Sequence, residues 1–126
     1  MGKELERLRA LTKMALGVEM MKLQQAVLAE KQKTAQIDAL KNLRKTRAES
    51  LSEKGGADLA LYGGADQRWA QWSQVKVSEL NTQKAAMIVQ KEEQKMRTQT
   101  AFGKDEAVRR LVESEQEEER IVNSRY

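Results

Sequence analysis

The sequence predicts an all-α protein, a long two-helix antiparallel coiled-coil hairpin. Three observations predict it. Strong helix formers dominate (Ala, Leu, Glu, Lys, Gln and Arg), while the 126 residues hold only one Phe, two Trp and two Tyr. There is no Pro, so nothing forbids a long helix. Four of the seven Gly fall together near mid-chain, at Gly55-Gly56 and Gly63-Gly64. Glycine pairs punctuate helices because glycine loses the most entropy on ordering.

Helix 1 is predicted from about Lys3 to Lys54. Lys54 suits a helix C-terminus, where a cation meets the negative end of the dipole and glycine follows. A tip loop is expected from Gly55 to about Ala65, and helix 2 from about Asp66 to Asn123. Asp66 suits an N-cap, because its carboxylate can accept from an orphan amide of the first turn. Two helices of roughly 50 residues would each run about 75 Å at 1.5 Å per residue. The whole chain, 1–126, then forms one hairpin. Gly2, Gly17 and Gly103 are isolated, each costing a helix about 1 kcal/mol relative to Ala.

A coiled-coil stripe is visible but uneven. In helix 1, Leu16, Met20, Leu23, Val27, Thr34 and Ile37 step by three, four and seven. Leu5 and Leu8 precede them, and Leu40, Leu43 and Leu51 follow on a drifting stripe. In helix 2, one frame holds Trp69, Leu80, Met87, Ala101, Val108, Leu111 and Val122. The same frame carries Lys76, Gln83, Gln90, Gln94, Arg97, Lys104, Glu115 and Glu118. A seam this polar gives little stability alone, since helices draw most of theirs from a buried apolar stripe. A partner covering part of the hairpin is therefore expected.

Composition excludes several functions. With no Cys and no His, zinc fingers, disulfides, thiol redox sites and His-based catalysis are ruled out. The longest apolar run, Ala85 to Val89, has five residues, too few to cross a membrane. The first six residues, Met1 to Glu6, mix acid and base and do not resemble a signal peptide, which predicts a cytosolic chain. Net charge is +4. Residues 1–54 hold twelve Lys and Arg against seven Asp and Glu; residues 68–126 hold eleven against ten.

Each conspicuous cluster has two readings. Glu113, Glu115, Glu117, Glu118 and Glu119 form either a solvated helix end or a divalent-cation site, and no ligand loop favours the second. Lys41, Arg44, Lys45 and Arg47 are either a solvated face or a contact for an acidic protein, an anionic membrane or nucleic acid. Nucleic acid is disfavoured, because no aromatics interleave the basic run to stack bases. Trp69 and Trp72 stand at i and i+3. They either plug the tip over Leu51, Leu59, Leu61 and Tyr62 or form a partner-binding hot spot. Trp69 shares the helix 2 frame, so it is expected to face helix 1. Trp72 lies about 60° to one side and can protrude. Neither Gly-Gly pair is followed by the Gly-Lys-Ser/Thr of a phosphate loop. No catalytic constellation and no cofactor site is found.

Arg68-Trp69-Ala70-Gln71-Trp72 opens helix 2, and Gln36, Leu40, Leu43 and Arg47 form a stripe in helix 1. Lys104 to Leu111 (Lys-Asp-Glu-Ala-Val-Arg-Arg-Leu) lies near the C-terminus. With the predicted hairpin, these residues resemble the FliJ/YscO family, the coiled-coil stalk proteins of flagellar and injectisome type III export. Members of that family tend to carry aromatics at the last two stripe positions, where this chain has Leu43 and Arg47. The resemblance implies a non-enzymatic part similar to the two-helix coiled coil of the rotary ATP synthase γ subunit. Its paired termini would sit in the central channel of a hexameric export ATPase, with Leu5, Leu8, Arg9, Arg110 and Leu111 as ring contacts. Its tip would point to the cytoplasmic domain of the membrane export gate, with Trp72, Trp69, Gln36, Leu40 and Leu43 as gate contacts. The location implied is cytoplasmic, peripheral at the inner-membrane export apparatus. Two other readings stay open. One is a structural coiled coil that self-associates. The other is an export chaperone that binds clients through Met14, Met20, Met21, Met87 and Met96.

Overall fold

Runs of good helix formers without proline propagate a helix once it is nucleated. The computed structural model describes the backbone of residues 2–54 and 56–125 and the side chains of residues 2–53 and 63–125. Two helices account for all of it, α1 (Gly2–Lys54) and α2 (Gly56–Arg125). They pack against each other as an all-α helical hairpin. No helix among the described residues is long and apolar enough to cross a membrane.

The expected end of helix 1 at Lys54 matches α1, but the expected tip loop does not match α2. Gly55 lies outside the described residues. From Gly56 the backbone is helical, so residues 56–65 belong to α2. Gly63 and Gly64 take no left-handed backbone angle, and a side chain added at either would meet nothing within 4 Å. Glycine here is a weak helix residue, not a turn residue. The segment between the pairs is rich in Ala and Leu, and its propensity outweighs a cost of about 1 kcal/mol per glycine. Asp66 is consequently no N-cap. The side chains of Leu59, Leu61 and Tyr62, expected under the tryptophans, lie outside the described residues.

Two contact units divide the chain, and both helices run through both. One unit is Met1–Val27 with Gln90–Tyr126; the other is Leu28–Val89. In the first, Arg9 bonds Asp105, 96 positions away, and Glu19 meets Gln94, 75 away. In the second, Lys33 bonds Gln83, 50 positions away, and Arg47 bonds Asp66, 19 away. The shrinking separations show that the helices are antiparallel within each unit.

The seam rows repeat by alternating threes and fours, as left-handed coiled coils require. In the first unit, Leu5, Arg9, Thr12, Leu16, Glu19 and Leu23 of α1 are shielded, facing Gln94, Thr98, Ala101, Asp105, Val108 and Val112 of α2. In the second, Lys33, Ile37, Leu40 and Arg44 are shielded on α1, and Ala70, Ser73, Val77, Leu80, Lys84 and Met87 on α2. Only Ile37, Val77, Leu80 and Val108 are buried apolar residues among those described. Half of the expected helix 2 frame is correct: Leu80, Met87, Gln94, Ala101 and Val108 line the seam. The other half is one residue out of register. Ala70 replaces Trp69, Val77 replaces Lys76, Asp105 replaces Lys104, and Val112 replaces Leu111. Trp69 remains half-buried beside the seam, while Leu111 is exposed. In helix 1, Met20 and Leu43 are also exposed, off the seam that the sequence assigned them.

The buried polar seam residues are tolerated because each finds a partner. No buried side-chain polar atom among the described residues lacks a hydrogen bond. Ser73, fully buried, donates to the Ala70 carbonyl at 2.9 Å. Thr12 donates to the Asp105 carboxylate at 2.9 Å, and Arg9 reaches that carboxylate at 3.3 Å and the Asp105 carbonyl at 3.0 Å. Gln94 donates to the carbonyl and carboxylate of Glu19, and Thr98 also reaches the Glu19 carbonyl. Paired groups avoid the 1–3 kcal/mol or so that an unsatisfied buried one costs.

Candidate partner-binding surfaces

In the unit of Leu28–Val89, charge and aromatics meet at Arg47. Its Nε donates to Asp66 Oδ1 at 2.8 Å, and its Nη2 lies 2.8 Å from the same oxygen. The guanidinium stacks over the Trp69 ring, 4.6 Å from the centroid. A stacked guanidinium is favoured by the ring quadrupole, by about 0.5–1 kcal/mol at an exposed site. A groove of about 160 Å³ lies here, lined by Arg44, Ala48, Leu51 and Ala70 with the Arg47, Asp66 and Trp69 trio. Helical periodicity explains the grouping. Arg44, Arg47 and Leu51 follow at three and four along one row of α1, and Trp69 and Ala70 lie three and four residues after Asp66 on α2.

Arg47 is therefore engaged within the hairpin, which reduces the basic cluster noted in the sequence. Lys41 and Lys45 are exposed and Arg44 half-buried, and none of the three has an ion-pair partner among the described residues. Of the residues assigned to an export gate, Trp72 is 55% exposed, and Gln36 and Leu43 are exposed. Leu40 sits half-buried in the seam. Trp69 is held under Arg47, so its ring is only partly available.

In the unit of Met1–Val27 and Gln90–Tyr126, the residues assigned to an ATPase ring also divide. Leu8, Arg110 and Leu111 are exposed. Leu5 and Arg9 are half-buried in the seam, and Arg9 is engaged by Asp105. Sequence reasoning placed Gln94 on the seam but missed its partner Glu19, and missed Asp105 and Ser73 as polar centres of the seam. Their signal was present as the uninterrupted three-four spacing of shielded positions, from Leu5 to Arg44 on α1 and from Ala70 to Val112 on α2, which runs through polar residues as readily as apolar ones.

The exposed side of α2 near its end is paired with itself. Arg109 bridges Glu106 at 2.8 Å and Glu113 at 2.6 Å, one turn to either side. The Arg109 hydrogen bonds hold the Glu106 carboxyl below its ordinary value, and the two carboxylates raise Arg109. Arg120 is likewise raised by its bond to Glu117. Among the described residues, no group of three or more acidic side chains is arranged to hold a metal ion. A groove of about 400 Å³ in the same unit is lined by Ala15, Met96 and Ala101 together with Glu19, Arg97 and Lys104. Compared with known protein families, curated proteins and solved structures, the chain matches none.

Proposed function

We propose that the chain is a non-enzymatic stalk of a flagellar type III protein export apparatus. In this proposal its paired termini bind the central channel of the hexameric export ATPase, and it links that ring to the cytoplasmic domain of the membrane export gate. It would work in the cytoplasm, peripheral to the inner membrane. One observation carries the proposal: a helical hairpin whose seam is nearly half polar and whose outer surface leaves many large apolar side chains exposed. Such a hairpin gains by being gripped, because a surrounding ring would bury surface that it does not bury itself. The family resemblance of the Arg68–Trp72 opening supports the same reading, and the lack of Cys and His supports a non-enzymatic part. Deleting about ten residues from each end should abolish stimulation of the export ATPase while the unit of Leu28–Val89 stays folded. Unchanged stimulation would refute the channel-binding role.

The chaperone reading has an observation of its own. Met14, Met20, Met21 and Met96 are all exposed, and methionine adapts to varied clients. Saturable binding of unfolded export substrates, lost when these four become Ser, would favour it over the stalk.

A further inference from the structure

We propose that the outer face of α1 between Leu8 and Met21 is a docking surface for an acidic amphipathic helix of another protein, whether or not an ATPase ring grips the termini. Leu8, Leu11, Met14, Val18 and Met21 recur at steps of three and four, yet are between 42% and 68% exposed. The seam residues of the same stretch are Arg9, Thr12, Leu16 and Glu19. Leu11, Met14, Val18 and Met21 each follow a seam residue by two positions, about 200° around the helix. These four therefore lie on the back of α1, at steps of three and four with no helix against them, and Leu8 sits beside the seam at the start of the stripe. Scattered exposed leucines need no explanation, whereas a contiguous stripe does.

The gaps in the stripe are small. Ala10, Ala15 and Gly17 are exposed between the large side chains. A Cβ on Gly17 would meet nothing within 4 Å, so no packing inside the chain requires a glycine there. Glycine is the weakest helix former apart from proline, so Gly17 weakens α1 with no return within the chain. Small residues between large ones leave holes that a second helix can fill with its own knobs.

The charge pattern selects the occupant. Arg7, Lys13 and Lys22 border the stripe. Arg7 and Lys13 have no ion-pair partner among the described residues, and Lys22 only reaches Glu19 at 4.0 Å. Glu19 is the single carboxylate between Arg7 and Lys22, and it is turned into the seam against Gln94. Exposed charge along this stretch is thus wholly positive. A second copy packing the same face antiparallel would bring Lys13 and Lys22 against their own kind, which like-charge repulsion opposes. A helix with apolar residues at three-four spacing and carboxylates beside them satisfies both the stripe and its border.

The test uses the full chain and two labelled helical peptides of equal length. Both carry the same leucine stripe; one is flanked by Glu, the other by Lys. Fluorescence anisotropy should show the acidic peptide binding at least about tenfold more tightly at low salt, with the advantage shrinking near 0.5 M or so as charges are screened. Val18→Glu should abolish this binding and leave the melting temperature unchanged, because Val18 is off the seam. Lys13→Glu should weaken the acidic peptide severalfold. Equal affinity for the two peptides, or no binding below about 100 μM, would overturn the proposal. So would binding that survives Val18→Glu, or concentration-dependent self-association that Val18→Glu removes, which would make the occupant a second copy.

Discussion

Asp105 decides between two registers of the seam that differ by one residue. Its carboxylate takes the Thr12 hydroxyl at 2.9 Å and the Arg9 guanidinium at 3.3 Å. Asp105→Ala removes both. A hydrogen bond to a charged group contributes about 1.5–3 kcal/mol. The Arg9 side chain is 28% exposed, so water replaces part of the ion pair, which adds less than about 1 kcal/mol. Two contacts survive the substitution: Arg9 still reaches the residue 105 carbonyl at 3.0 Å, and Thr12 can still donate to the Arg9 carbonyl at 3.1 Å. The expected loss is therefore about 2 kcal/mol, at the middle of the hydrogen-bond range. Lys104, its exposed neighbour, should cost no more than about 0.5 kcal/mol as Ala. Urea unfolding followed by helical circular dichroism reads both, with stability changes appearing in the midpoint. A double-mutant cycle with Thr12→Val should return a coupling of about 1 kcal/mol or more. Equal losses for Asp105→Ala and Lys104→Ala, or a coupling near zero, would refute this seam.

Trp69→Ala should cost about 1–2 kcal/mol, less than the ~3–5 kcal/mol of a fully buried aromatic, because its ring is only half covered. Trp72→Ala should shift thermal melting little, by under about 0.5 kcal/mol, since its ring is largely in solvent. Gly63→Ala and Gly64→Ala should each raise stability by up to about 1 kcal/mol in thermal melts; a loss would mean that these residues are not helical. Glu106 titrates below its ordinary value of 4.5 in the folded chain, so its contribution is complete above that value and fades as pH falls through the lowered one. Arg109→Gln should return the Glu106 titration toward 4.5 in a carboxyl NMR series, and an unmoved titration would refute the pairing.

Two helices were legible because helix propensity is local. Proline-free runs of Ala, Leu, Glu and Lys state it directly, and α1 ends where Lys54 meets glycine. The start of α2 was not legible. Glycine pairs signal a turn through their backbone freedom, yet Gly63 and Gly64 sit in helix without using it. The seam was half legible. Apolar periodicity finds it only where apolar residues mark it, and Trp69 and Leu111 drew the frame one residue toward themselves. Asp105, Ser73 and Gln94 could not be ranked as buried from sequence, because their burial depends on partners far along the chain or on a local back-bond. Arg47 reads as a free cation until Asp66 and Trp69 are placed beside it.

The stalk role is tested most directly by mapping which residue touches which partner. A photo-crosslinking amino acid is placed at Leu111 or at Trp72, both exposed, and each full-length chain is mixed with the export ATPase and the gate's cytoplasmic domain. The account predicts that Leu111 crosslinks to the ATPase and Trp72 to the gate domain. Crosslinks from both positions to a second copy of the chain, or from neither position to either partner, would contradict it.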